Sequence, residues 1–358
     1  MPLSSPPGSP AHTSSPPATR EQIDRWVAPT PAGHKIGALG ITEPDGGSDV
    51  GGLRTTARRD GEDYIVNGSK TYITSGVRAD FVTTAVRTGG QDNPGSRGLS
   101  LMVIEKGMPG FEVSRRPDKM GWRCSDTAEL SFTDVRVPAS HLIGPENAGF
   151  LLIGSAFLTE RIALAAQAYS QAQRCLDLAT QWCRERTTFG APLISRQSVQ
   201  NTLVEMAGRI DIARTYTRAL IDRSMAGEDP GSLIPAVCFA KNNATRTGEW
   251  VASEALQLFG GMGYMTECEV ERQYRTCASS VSAVAPSRSS TRWPHDGWDS
   301  WHDNPQQHAR LEQPPSAGGG GGDEGLPRRD RCGDRQVGCR WRRKVHRPPP
   351  QARQAHRT

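Results

Sequence analysis

Glu160 sits in the run "FLLIGSAFLTERIALAA", seven residues after Ile153, three after Phe157 and four before Leu164. That spacing of i, i+4, i+7, i+11 aligns a carboxylate with an apolar stripe on a helix. A carboxylate desolvated there has a raised pKa and becomes a usable base near neutral pH. The plainer alternative is a glutamate at the edge of the stripe that reaches water or pairs with a cation.

Four other segments have residue types suited to a ligand. "ITEPDGGSDV" (41–50) sets Gly46 and Gly47 beside Ser48, so backbone N–H groups could approach a ligand closely with a hydroxyl at hand; an ordinary turn reads the same way. "KTYITSG" (70–76) joins an aromatic and a β-branched residue to two hydroxyls, which suits the face of a flat heterocycle or an edge strand. "RERTTFG" (184–190) ends a helical stretch on cations that could grip a diphosphate or simply be solvated at a helix end. "QLFGGMGY" (257–264) ends another at paired glycines, which a helix C-cap explains without a ligand. The eight cysteines form no C-x-x-C and no zinc spacing with histidine, so no metal site is expected.

The elements that must position these residues follow from composition and period. Residues 1–34 are rich in Pro and Ser and are expected to be disordered. From 35 to 144, "DYIVNG", "DFVTTAV", "LSLMVIE", "GFEVSRR" and "TAELSFTDVRV" predict a small antiparallel β-barrel or sandwich. From 145 to 275 the period becomes helical, with three long amphipathic stretches that make most of a four-helix bundle, an α+β chain as a whole. After Arg275 no period remains, and residues 276–358 are expected to lack a packed core. Of the 43 Lys and Arg and 38 Asp and Glu, that tail holds 14 and 8, so the excess positive charge belongs to it and not to the body. The tail could be read as a basic nucleic-acid-binding arm, but it has no motif beyond charge. No unbroken run of some 18 apolar residues and no secretory leader is found, so a cytoplasmic chain without a membrane span is expected.

Taken together and in order, "TEPDGGSDV", "DKMGWRCSDTAELSFTDVRVP", "RTTFG" and "QLFGGMGYM" resemble the signatures of acyl-CoA dehydrogenases over roughly residues 35–275. Asp45 and Met262 depart mildly from the residues common there. The resemblance implies an N-terminal helical domain, for which too few residues precede the match, then a β domain and a helical bundle, with FAD between the last two and a homotetrameric assembly. It assigns Thr42, Ser48, Tyr72, Ile73 and Thr74 to the flavin, with Ser48, Phe157 and Arg161 at the acyl-CoA. It also implies that Arg186, Thr188, Phe189 and Gln197 reach FAD across a subunit interface, with Gln257, Gly260 and Gly261 near its diphosphate. Glu160 falls at the base position of the isovaleryl- and long-chain-like branch. The implied reaction is α,β-dehydrogenation of an acyl thioester, with electrons passed to an electron-transfer flavoprotein. Codons read one base earlier from Thr276 permit an Asp, an Arg, a Gly-rich turn and a helix end similar to the family's. A one-base deletion near Arg275 is therefore expected, with a non-catalytic remnant or basic-tailed binding protein as the alternative.

Overall fold

Two side-chain periods divide the chain, and each produces one layer of the structure. The computed structural model describes residues 18–282 apart from 91, 92 and 94, all within one unit. The alternating and doubly apolar runs form eight strands: β1 (Gly37–Gly40), β2 (Thr56–Asp60), β3 (Asp63–Thr74), β4 (Phe81–Arg87), β5 (Leu99–Glu105), β6 (Phe111–Arg115), β7 (Thr127–Pro138) and β8 (Leu142–Ile143). They make one sheet in the order β6-β7-β3-β2-β4-β5-β8, with β1 added beside β4. The sheet is mixed and not purely antiparallel, because β1 and the start of β2 both run parallel to β4. Its core is a cluster that includes Val66, Val82, Val86, Met102, Ile104, Leu130 and Val135, all fully buried.

The helical stretches become α2 (Gly149–Glu185), α3 (Gln197–Met225) and α4 (Pro230–Phe259), within a few residues of their expected bounds. The start of α4 follows from chemistry: the Asp229 carboxylate accepts from the Ser232 N–H, and Pro230 fills a first-turn position that needs no N–H donor. It ends where Gly260 takes φ 58°, a conformation that favours glycine. Small side chains let α2 and α4 lie close together: Ala165, Ala168, Ala172 and Ala179 are buried on α2, and Ala240, Ala244, Ala252 and Ala255 on α4. A Cβ on Gly248 would come within 3.3 Å of the Ala168 carbonyl oxygen.

Two expectations about the chain's ends need correction, and residues 1–17 and 283–358 lie outside the described residues. Within the segment expected to be disordered, α1 (Arg20–Gln22) continues as a π-helical turn over Ile23–Val27. A capping box between Thr19 and Gln22 starts it. Trp26 anchors it, 3% exposed, edge-on to His141 at 4.8 Å and donating to Glu105. One large aromatic ring suffices where average composition predicted no core. At the other end, α5 (Glu269–Ser282) runs seven residues past Arg275. Cys277 is buried against the bundle, in one cluster with Cys175, Ala179 and Val251. The aperiodic reading of that stretch missed it because a single apolar residue in the right place is no period.

By length and composition α2 could also cross a membrane, since its most apolar window has a mean hydropathy of 1.5. Glu160 and Arg161 break its apolar run, which is why a search for unbroken runs passed over it.

The middle of α5 rests on a loop of the β domain. Arg275 donates to the Met120 carbonyl at 2.9 Å, and a Cβ on Gly121 would come 2.5 Å from the Arg275 carbonyl oxygen. Gly121→Ala is therefore expected to destabilise this docking by about 1–3 kcal/mol, the usual range for overpacking. Alkylation mapped by peptide mass spectrometry provides the check. Cys124, which is exposed, should react at once; Cys277 should be protected in the native chain and react faster in Gly121→Ala.

Candidate active site

The first turns of α2 lie on the sheet. Ile153 is buried with Ile41, Leu53, Leu99 and Leu101, and Phe157 packs against the same cluster. Beyond Ala165 the buried line of α2 turns toward α3 and α4, roughly 90° around the helix at 3.6 residues per turn. Glu160 continues the first stripe past the point where the β domain covers it, so its side chain is exposed, a correction to the expected desolvated position. The stripe is real, but its cover is not continuous. Enough protein still flanks the carboxyl to raise its pKa, burial being the first cause and the charge of Arg161 opposing it. Arg161 follows the buried line more closely. Its guanidinium lies 5.8 Å from the Phe157 ring centroid, and its Nε is buried with no partner among the described residues.

Ile41 leads directly into the glycine-rich turn, where Thr42 is half-buried and Ser48 exposed. The Thr71 N–H donates to the Thr42 carbonyl at 2.8 Å, which ties this turn to the end of β3. β3 lies between β7 and β2, but its pairing with β2 ends at Asn67, so the "KTYITSG" segment is strand-paired on one side only, to β7. A register shift between Lys70 and Ile73 interrupts its pairing with β7. Lys70 and Thr71 consequently both point inward, and Tyr72 and Thr74 are exposed on either side of buried Ile73. Tyr72 has φ 57°, an uncommon conformation for a bulky residue, and is 70% exposed. Trp122, in the loop after β6, has φ 53°. That loop meets the end of β3 through Asp126, whose backbone and side chain accept from Ser75 and Val77.

The remaining candidates gather elsewhere. Thr188 and Phe189 occupy a small hairpin of β9 (Thr187–Thr188) and β10 (Ala191–Pro192) between α2 and α3. Phe189 has φ 50°, is 98% exposed, and stacks under Arg196 at 5.2 Å. Arg186 and Gln197 flank this hairpin, both exposed. The segment bearing Gln257, Gly260 and Gly261 joins the same end of the bundle, because Trp182 stacks on Phe259 at 4.8 Å and donates to the Leu258 carbonyl. Gly260 and Gly261 have open space where a Cβ would stand. Glu160 and Arg186 are 26 residues apart on one continuous helical axis, about 39 Å at 1.5 Å per residue. The candidates thus form two clusters and not one site.

Family models match both layers: the acyl-CoA dehydrogenase middle domain over residues 38–135 and the acyl-CoA dehydrogenase C-terminal domain over 147–280. A crystal structure of a Mycobacterium smegmatis protein assigned as an acyl-CoA dehydrogenase is 62% identical, with TM-score 0.74, over 76% of this chain and 70% of that one. The chain belongs to the acyl-CoA dehydrogenase family. The rat mitochondrial long-chain specific acyl-CoA dehydrogenase is 38% identical over 72% of this chain and 59% of its own length. A glutaryl-CoA dehydrogenase of M. smegmatis, solved in complex with FADH2, is 29% identical with TM-score 0.70 over 76% of this chain and 68% of that one. The chain spans about three fifths of the length of the curated relatives it matches.

One feature of this family member gave no sequence signal. Lys70 and Glu43, 27 positions apart, form an ion pair of 2.8 Å with side-chain exposures of 0% and 7%. Nothing in their spacing marks them as partners. Burial draws the Lys70 ammonium down to about 8 against the pull of Glu43. Burial would raise Glu43, but bonds from Lys70, Thr55 and the Arg54 N–H outweigh it and hold the carboxyl below the ordinary range.

Glu160 offers a pH test independent of catalysis. A folded-state pKa raised above the ordinary 4.5 gives stability that is present at low pH and is lost as pH rises through the folded value. Glu160→Gln removes that loss. Melting curves should show the variant more stable than the unaltered chain at pH 7, with the two converging below about pH 4.5.

Proposed function

We propose that the chain catalyses FAD-dependent α,β-dehydrogenation of an acyl-CoA thioester, with Glu160 as the base. The observation that carries this reading is the position of Glu160. It continues the stripe of Ile153 and Phe157 beside the turn that begins at Ile41, with a raised pKa and one side open to a ligand. The residues near the sheet also fit a flavin. Tyr72 is an exposed aromatic ring held on a left-handed backbone, two residues before exposed Thr74 and next to Thr71, which is bonded to Thr42; an aromatic with hydroxyl-bearing residues on the joined segments suits a flat heterocycle. Glycines with open space and exposed Arg186 at the far cluster suit a diphosphate.

When bound, FAD supplies the acceptor for the hydride that leaves the β-carbon. The Glu160 carboxylate takes the α-proton as the new double bond forms. A raised pKa brings its proton affinity closer to that of the reaction it must serve. Phe157 and Ile153 supply an apolar wall for the acyl chain. Arg161, whose buried Nε has no hydrogen-bond partner among the described residues, would offer positive charge beside the acyl wall for the negative charge that develops on the thioester.

Arg186 lies about 39 Å along α2 from Glu160, too far for one dinucleotide bound beside that carboxyl to reach it within one chain. A homo-oligomer, in which the far cluster of one copy meets the sheet-side cluster of another, follows from this reading, a tetramer as in the family. An electron-transfer flavoprotein as electron acceptor and a cytoplasmic location belong to the same proposal.

Anaerobic mixing with saturated acyl-CoAs tests the reaction. FAD-loaded protein should bleach, and Glu160→Gln should keep FAD while bleaching at least about a hundredfold more slowly, the lower range for a general base. Near-normal bleaching by that variant would place the base elsewhere. Protein that takes up no flavin would remove the reading in favour of a non-catalytic binding protein.

A further inference from the structure

The sheet-side cluster depends on two chain segments joined by the Thr71–Thr42 backbone bond and by a buried network beside it. The Lys70 ammonium donates to the Ile41 carbonyl at 3.1 Å and to Glu43 Oε1 at 2.8 Å. The same Glu43 oxygen accepts from the Thr55 hydroxyl at 2.6 Å and the Thr55 N–H at 3.0 Å, and Oε2 accepts from the Arg54 N–H at 2.7 Å. Glu43 also closes its own turn through a backbone bridge with Gly46. The network therefore grips the chain on both sides of Thr42 and at the start of the β3 bulge, one residue before Thr71 and two before Tyr72.

A buried ion pair is weak evidence for added stability, because desolvating two charges cancels much of their attraction; geometric specificity is its better-attested use. Here the geometry it specifies is local. Without an anchor at Lys70, β3 could regain regular alternation by a one-residue slip, which would exchange the exposed and buried faces of Tyr72, Ile73 and Thr74. We propose that Lys70 and Glu43 are positioning residues that lock the Ile41–Gly46 turn to the bulge of β3, so that Thr42, Tyr72 and Thr74 are presented together to the flavin. Neither residue touches the flavin in this account, and the inference rests on the functional reading above only in naming the flavin as the ligand.

The test uses the Lys70→Met/Glu43→Gln double variant of the full chain, which removes both charges while keeping an oxygen acceptor for Arg54 and Thr55. Its melting temperature should stay close to that of the unaltered protein. Its affinity for FAD, titrated by flavin fluorescence on protein freed of cofactor, should fall at least about tenfold, the equivalent of one lost positioning hydrogen bond. The Thr71 amide should also exchange its hydrogen faster than the strand around it, since its bond to Thr42 would open separately. Unchanged FAD affinity with unchanged Thr71 exchange overturns the proposal. Should the double variant fail to fold, Thr55→Val deletes one hydroxyl bond to Glu43 and leaves both charges; it should weaken FAD and loosen Thr71 in the same sense, and normal values for both would again overturn it. Should the unaltered protein bind no FAD, the functional reading fails, and Thr71 exchange still decides whether the network locks the bulge.

Discussion

The position of every group near Glu160 depends on how closely the first turn of α2 approaches the sheet. A Cβ on Gly149 would come within 2.7–2.9 Å of the backbone at Leu99 and Ser100. No other residue allows that approach without moving the strand. From this contact the next turns are fixed: Ile153 settles among Ile41, Leu53 and Leu101, and Phe157 packs beside them. One turn later Glu160 emerges, next to the turn that starts at Ile41. The helix axis and the sheet act as a rigid frame, and the carboxylate is set by three residues that do no chemistry.

The same helix does a second job along the rest of its length. From Ala165 to Cys183 its buried side chains are small, and α4 answers with alanines and Gly248. Close backbone packing of this kind makes α2 and α4 a stiff pair. It also explains why the two ends of α2 stay far apart and why ligand-suited residues collect at both. Trp182 on Phe259 closes the far end much as Ile153 closes the near one.

Buried charge occurs in both layers. In the sheet, Lys70 is matched by a carboxylate and one backbone carbonyl. In the bundle, Lys241 is also fully buried, drawn down to about 8 by burial first and then by the neighbouring charge of Arg161. The charge of Arg161 also opposes the effect of burial on the Glu160 carboxyl. That carboxyl is set by competition between desolvation and this charge, with neither complete.

Much of this was legible in the residues. Alternating and helical periods gave the two layers and the spans of three helices, because period 2 and period 3.6 are properties of local geometry. The motifs at Ile41–Val50, Lys70–Gly76, Arg184–Gly190 and Gln257–Tyr264 could be picked out by residue type, as could Glu160 by its spacing. Whether Glu160 was covered could not, because a stripe says which side chains share a face and nothing about where the covering layer stops. Trp26 and Cys277 order segments of unpromising composition through single long-range contacts, which no local average detects. Lys70 and Glu43 meet across 27 residues, and the bulge that exposes Tyr72 exists only against β7. Local pattern determined the elements and the candidate residues; tertiary contact decided which were buried, which were strained, and that the candidates form two clusters at opposite ends of one helix.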